Sequence, residues 1–213
     1  MAVYASVDID GISSVESVLE DAYSGKLFIL VDDEDRENEG DMVVLAEKVQ
    51  PEHIAFMVRY GTGIVCLSMT KSHMRNLNIG FMEKKNVCDD HTAFTTSIDA
   101  SHGITTGVSA KDRAKTILTA IDGSSTQDDI VTPGHVFPVI ATEGGVLKRA
   151  GHTEASVEVA KLVGFNHAAV ICELINDDGS MMRLPDMLKF AIRHGMKVTT
   201  IDRLVTYLTN TRS

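Results

Sequence analysis

Short apolar runs alternate with stretches of helical periodicity along the chain, and Gly, Pro, Asp and Ser punctuate them. Val15, Val18, Leu19, Ala22 and Tyr23 fall on one helical face. Ser13-Ser14-Val15-Glu16 reads as a capping box in front of them, and Gly25 ends the run. Leu27 to Val31 is an uninterrupted apolar run of strand length, which predicts a strand buried on both faces. Met42 to Ala46 and Gly63 to Ser68 predict further strands. Pro51 to Tyr60 predicts a helix with Pro in its first turn and Gly61 behind it. Thr70 to Leu77 predicts a short helix, and Thr92 to Ile98, rich in Thr and Phe, a strand. Ser109-Ala110-Lys111-Asp112 opens a helix that runs through Ile121. Val136 to Ala141 predicts a strand whose Pro138 points to an edge or a bulge. Thr153 to Val163, Pro185 to His194 and Asp202 to Leu208 predict helices, and Ala168 to Ile175 and Lys197 to Ile201 predict strands. Mixed elements without a strict βαβ rhythm indicate an α+β or irregular α/β domain.

Composition narrows the class. At 213 residues and 23.1 kDa the chain makes one domain, or two small ones at most. An apolar fraction of 44% and a charged fraction of 23% exclude disorder as the dominant state. No apolar run approaches the ~18 residues of a membrane-crossing helix, so no membrane partner is expected. Asp8 and Asp10 stand where a secretory leader would need a basic segment and an apolar core, so no leader is expected. A net charge of −10 argues against nonspecific nucleic-acid binding, and the absence of Trp leaves little for a base-stacking platform. Cys66, Cys88 and Cys172 form no CxxC pair, which argues against a zinc ribbon and for a reducing, cytoplasmic setting.

Four segments carry candidate chemistry. In Asp32 to Asp41, seven of ten residues are carboxylates, directly behind a predicted buried strand. Clustered carboxylates repel, and a divalent cation relieves the repulsion; the plainer reading is a solvated acidic loop. Gly144 to Ala155 places glycines, Arg149 and His152 before a helix that begins near Thr153. A helix start offers free N–H groups and partial positive charge, and Arg149 adds a planar fork of donors, so the segment can cup a phosphate. An ordinary N-cap beside an exposed Arg would look the same. His135 lies in a tight turn entering a strand, where it can act as an acid or base or simply hold the turn. Glu173 lies in an apolar strand, where it must be paired, bind metal, shift its pKa or sit at a solvated strand end. His53, His73, His102, His167 and His194 read as structural or exposed.

Taken in order, these segments resemble one family, the 3,4-dihydroxy-2-butanone 4-phosphate synthases of riboflavin biosynthesis. The resemblance rests on Asp32 to Asp41, Gly61 to Cys66, Thr92 to Thr95, Gly103 to Arg113, Pro133 to Pro138 and Arg149 to Ala155, and spans about Val15 to Leu208. It implies a single α+β domain over residues 1–213, with a mixed sheet and surrounding helices. It also implies a homodimer with active sites near the interface. The implied reaction converts D-ribulose 5-phosphate to L-3,4-dihydroxybutan-2-one 4-phosphate and formate. Magnesium is implied as cofactor, one or two ions per site, with manganese able to serve.

By the same resemblance Glu37 and His152 bind the metal. Arg149, Ala150, Gly151 and Thr153 hold the phosphate, Arg36 and Asp41 orient the sugar, and Cys66 lines the pocket. His135 and Glu173 take the acid–base roles. The segment Glu83 to His91 departs from the family's mobile loop: Val87 and Cys88 follow Asn86, and His91 stands where Gly is frequent. Ala150 stands where Gly also occurs in the family, a small change. The length leaves no room for the GTP cyclohydrolase II domain found fused in some organisms, so a monofunctional enzyme is expected. The competing readings are a sugar-phosphate isomerase or aldolase, and a metal- or sugar-phosphate-binding regulator without catalysis.

Overall fold

The computed structural model describes residues 11–82 and 92–211; the unusual 83–91 segment lies outside the described residues, as do Asp8 and Asp10. Among the described residues seven strands form one mixed sheet: β1 (Phe28–Val31), β2 (Gly40–Leu45), β3 (Cys66–Met69), β4 (Ile98–Ala100), β5 (Ile130–Ile140), β6 (Ala168–Glu173) and β7 (Lys197–Thr200). Their spatial order is β4-β5-β3-β6-β2-β1-β7, with β1/β7 and β3/β5 parallel and the other pairs antiparallel. Among the described residues seven α-helices cover it: α1 (Val15–Tyr23), α2 (Pro51–Phe56), α3 (Lys71–Asn76), α4 (Ala110–Ile121), α5 (His152–Leu162), α6 (Leu184–His194) and α7 (Ile201–Thr211). This is the expected α+β architecture.

The period-2 alternation of strands splits the core into two layers. Ile29, Val31, Met42, Val44, Leu67, Val170 and Cys172 pack against α2, α4 and α6. Phe28, Leu30, Val43, Leu45, Cys66, Ala169 and Ile171 pack against α1, α5 and α7. With both faces covered, the strands can be apolar throughout, which explains the unbroken runs in the sequence. Helix α5 lies deepest, its residues His152 to Ala160 all buried between the sheet and its neighbours α1 and α7.

Three expectations need correction. The cap of α1 is Ser14, whose hydroxyl accepts from Ser17 N; Ser13 is instead drawn to β7, its N–H donating to the Val198 carbonyl. Thr92 to Ile98 is not a regular strand. It runs beside β5 through isolated bridges such as Phe94–Val139, and only Ile98–Ala100 forms β4. The reason lies in β5, where Pro138 offers a carbonyl to Thr95 N but has no N–H to return, so the ladder cannot continue. Finally, of the edge or bulge that Pro138 suggests, the edge fails, since β5 lies between β4 and β3, whereas the β4/β5 ladder does carry a bulge-like register shift, Ile98 pairing with Val136 and Asp99 with Val131.

Candidate active site

One end of the sheet gathers the predicted residues. Residues of β2, β3 and β6 that share parity with Val43, Cys66 and Ile171 face α5, and this parity puts Asp41 and Glu173 on that face. Asp41 and Glu173 are direct partners across the antiparallel pair. The N-terminus of α5 points His152 and Thr153 at the same place. The result is a cavity of about 120 Å³. Its polar wall comprises Arg36, Glu37, Glu39, Asp41, Arg149, His152, Thr153 and Glu173, and its apolar floor Cys66, Phe94, Val139 and Ile171. A wider groove of about 770 Å³ lies against Tyr60, Phe190 and His194, and contains none of the predicted site residues.

Asp32 organises the acidic loop. It continues the parity of Phe28 and Leu30, and its side chain is fully buried. Oδ1 accepts from Glu39 N at 2.8 Å, and Oδ2 from Arg36 Nη1 at 2.6 Å and Glu37 N at 3.2 Å. The loop thus wraps its own first carboxylate. Arg183, at the N-cap of α6, holds it from outside by donating to the Glu37 carbonyl at 3.0 Å and to the Asn38 carbonyl. Glu37 projects inward, accepts from Arg36 Nη1 at 2.6 Å, and lies 3.7 Å from His152 Nδ1, an ion-pair distance.

The electrostatics follow from this crowding. His152 and then Arg36 hold the Glu37 carboxyl down to about 2, against the opposing effect of burial. Burial works to lower the His152 pKa and is outweighed by Asp41, Glu37 and Asp32, so the imidazole is raised to about 9. Asp41 is pushed up to about 7, first by burial and then by Glu173, Glu37 and Glu39, against the pull of His152. Burial, with Glu173 and Asp41 behind it, pushes the Cys66 thiol up, which makes Cys66 a neutral wall residue.

The donor set suits a divalent cation. Asp32, Glu37 and His152 each offer a ligand atom, all within 4.8 Å of one another. Nε2 of His152 is buried with no hydrogen-bond partner among the described residues. Both Asp32 oxygens accept from the loop, as Glu37 Oε2 accepts from Arg36, so Asp32 also shapes the loop that presents Glu37 beside His152.

Arg149 follows a 3₁₀ turn (Gly145–Leu147) and precedes Gly151, the N-cap of α5, which has no side chain to cap the helix. Helix start, guanidinium and Thr153 thus lie together on the cavity wall, a grouping whose N–H donors and positive charge suit an anion. Ala150 and Gly151 do not line the cavity; they form the approach to α5. Glu173 closes the cavity from the end of β6, where its Oε2 accepts from Ile64 N at 2.7 Å.

His135 stands apart. It lies within β5, four residues before the cavity residue Val139, which is about 13 Å along a strand. Its Nδ1 lies 2.7 Å from Asp99 Oδ2, and its N–H donates to Asp99 Oδ1 at 3.0 Å. The imidazole side chain is 44% exposed, so it faces outward from this chain and does not meet Glu173. Sequence reasoning passed over Glu39, Asp99, Phe94 and Glu154. Glu39 and Phe94 were visible inside quoted motifs, whereas nothing local marks Asp99 as the partner of His135.

Comparison with known proteins finds relatives over nearly the whole chain. The family model described as 3,4-dihydroxy-2-butanone 4-phosphate synthase matches residues 16–207. A Neisseria meningitidis protein of that description is 50% identical over 202 residues, covering 95% of this chain and 56% of its own length. A rice chloroplast protein, described as a probable bifunctional riboflavin biosynthesis protein, is 52% identical over 200 residues, covering 93% of this chain and 36% of its own. The chain thus spans about half or less of the length of these curated relatives. A crystal structure of 3,4-dihydroxy-2-butanone 4-phosphate synthase in complex with two magnesium ions matches with a TM-score of 0.90 and 36% identity, over 94% of this chain and 99% of that one.

Proposed function

The chain belongs to the 3,4-dihydroxy-2-butanone 4-phosphate synthase family, and from that premise we propose that it converts D-ribulose 5-phosphate to L-3,4-dihydroxybutan-2-one 4-phosphate and formate. One observation carries the reading. The metal-donor pair, Glu37 and His152, and the anion cup, Arg149 and Thr153, share a cavity built around the start of α5. A phosphorylated ketose needs both: an anchor at its phosphate, and an electrophile and proton carriers at its carbonyl end.

Arg149 and Thr153 hold the phosphate, an anchor that sets the affinity for the sugar phosphate and leaves the reacting end to the other groups. Arg36 and Asp41 align the hydroxyl groups. Glu173, fixed through one oxygen to Ile64 N, keeps the other free to take a proton beside the carbonyl. When bound at Glu37 and His152, magnesium, or manganese in its place, supplies Lewis-acid stabilisation of the oxygen that gains charge. The buried Cys66, Phe94, Val139 and Ile171 exclude water from the reacting carbons. Dehydration and rearrangement then release C4 as formate.

His135 enters from a second subunit. Asp99 fixes its tautomer by accepting at Nδ1, so Nε2 is the nitrogen that exchanges a proton. In a homodimer with sites near the interface, this outward-facing imidazole serves the partner's cavity. No described helix is long and apolar enough to cross a membrane, and a cytoplasmic location fits the free thiols of Cys66 and Cys172.

The test is formate release from ribulose 5-phosphate with magnesium and then with EDTA. Magnesium-dependent, EDTA-sensitive formate in step with a four-carbon ketone phosphate is expected. A folded, metal-loaded protein that makes no formate would sink the reading, as would products of isomerisation or aldol cleavage instead.

A further inference from the structure

Glu154 lies on the inner face of the first turn of α5 and is 1% exposed. An acidic residue at this third helical position commonly reaches back to the N-cap N–H in a capping box. Here it does not. The Gly151 N–H donates to the Arg149 carbonyl at 2.9 Å, and Glu154 spends both oxygens elsewhere. Oε2 accepts from Arg149 Nη1 at 2.6 Å, and Oε1 accepts from Thr142 N at 2.8 Å, just past the end of β5. The Arg149 side chain is itself only 10% exposed. A Cβ on Gly151 would lie 2.4 Å from Arg149 Nη1 and 3.0 Å from Glu154 Oε2, so the ion pair lies directly against bare backbone.

A carboxylate here is costly for a site that attracts an anion, because it cancels part of the charge of Arg149. That cost is tolerable if the carboxylate sets the direction of the guanidinium. The fork of Arg has five donors, so Glu154 can hold one part of it while another part faces the cavity.

We propose that Glu154 is the positioning residue of the phosphate anchor, tying Arg149 to the end of β5 so that the guanidinium meets the phosphate without reorganisation. The inference deepens the phosphate-cup reading and rests on it. The pair also keeps the buried guanidinium neutralised when no phosphate is bound.

The experiment compares Glu154→Gln, Arg149→Ala and the double variant in the magnesium-loaded protein. The readouts are KM and kcat for ribulose 5-phosphate, competitive inhibition by inorganic phosphate, and magnesium affinity by calorimetry. Gln preserves volume but has one acceptor oxygen for two donors. KM and the phosphate inhibition constant should both rise roughly 10- to 100-fold, the range for a lost hydrogen bond to a charged group, with kcat within a few-fold of wild type. Magnesium affinity should hold, since His152 is untouched; a role confined to shaping the helix start would move it as well.

In the double variant, Glu154→Gln should add nothing to Arg149→Ala. Unchanged or lower KM in Glu154→Gln, beside a raised KM in Arg149→Ala, would overturn this inference alone. An Arg149→Ala protein with unchanged KM and phosphate inhibition would overturn the cup itself. If Glu154→Gln does not fold, Gly151→Ala decides: its φ of −110° accepts Ala, and its methyl displaces Nη1 with both charges intact. The same KM rise is expected there, and a wild-type KM would refute the proposal.

Discussion

Replacing Gly63 by Ala puts a methyl where Glu173 leaves no room. Its Cβ would lie 2.4 Å from Glu173 Oε2, 2.7 Å from the Glu173 carbonyl oxygen and 2.8 Å from the Glu173 Cβ. Nonbonded carbon contacts sit at about 3.5–4.0 Å, so the shortfall is on the order of 1 Å. Two of the three atoms belong to, or hang directly from, the backbone of β6, the middle strand of the sheet, and cannot swing away. The carboxylate can, and in moving it gives up the 2.7 Å bond from Ile64 N. A catalytic group displaced by about 1 Å costs on the order of 10²-fold, and a general base is worth about 10²–10⁴-fold in all. Gly63→Ala should therefore lower kcat by roughly 10²–10³-fold. KM should change little, because the phosphate anchor lies on α5. Overpacking should cost about 1–3 kcal/mol, a fall in Tm of roughly 2–12 °C for a domain of this size. The assay is initial-rate formate release at saturating substrate, well below the melting temperature. If the effect runs through Glu173, adding Gly63→Ala to Glu173→Gln should slow the enzyme no further. A Gly63→Ala protein with wild-type kcat, or a double variant slowed by the product of the two effects, would refute the reasoning.

Three further outcomes are expected. In EDTA, His152 is raised from its ordinary 6.5 to about 9, so its contribution to stability is complete below pH 6.5 and is lost as pH rises through 9. The melting temperature should fall across that window and flatten in His152→Gln; an equal slope in both proteins would refute the assignment. Asp32→Asn leaves donors facing an amide at one side of the loop and should weaken magnesium binding roughly 10- to 100-fold, read by calorimetry. Unaltered affinity would show that Asp32 does not orient the donors. Finally, inactive His135→Ala and Glu173→Gln chains, unfolded and refolded together, should regain roughly a quarter of wild-type activity, because each mixed dimer then has one site with neither change; no recovery would place both residues in one chain's site.

The strands were readable because both their faces are buried, which turns Leu27 to Val31 into an unmistakable apolar run. Helices α6 and α7 were readable for the opposite reason: only one face is buried, which leaves a clear helical period. Regularity was misjudged where a proline removed a donor: the Thr- and Phe-rich stretch before β4 has strand composition, but Pro138 cannot complete its ladder. At the site, Glu37, Arg149 and His152 announce themselves by type and neighbours. Near supports such as Asp32 and Glu154 lie inside the same motifs, but the other supports were hidden, because their contacts are distant in sequence. Ile64 and Glu173 are 109 residues apart, Asp99 and His135 36, and Arg183 and Glu37 146. A motif names the groups that touch a ligand more readily than the groups that aim them.

The site is also where the fold gives up stability. Asp41 and Glu173 oppose each other directly across β2 and β6, and like charges so placed weaken a sheet. Asp41 is moreover fully enclosed, and burial, with Glu173 behind it, lifts it to about 7. An apolar pair at this register would suit the core better, since Val43–Ile171, two positions along the ladder on the same face, is such a pair. The conflict makes sense as chemistry: a carboxyl that holds or releases a proton near neutrality stands beside one fixed as an acceptor of Ile64 N–H. In the proposed reaction Glu173 takes the proton while Asp41, able to donate or accept near neutrality, holds a sugar hydroxyl, so two carboxyl groups in unlike environments serve it better than two alike. The burial of Asp41 and the tether on Glu173 are what keep those environments different.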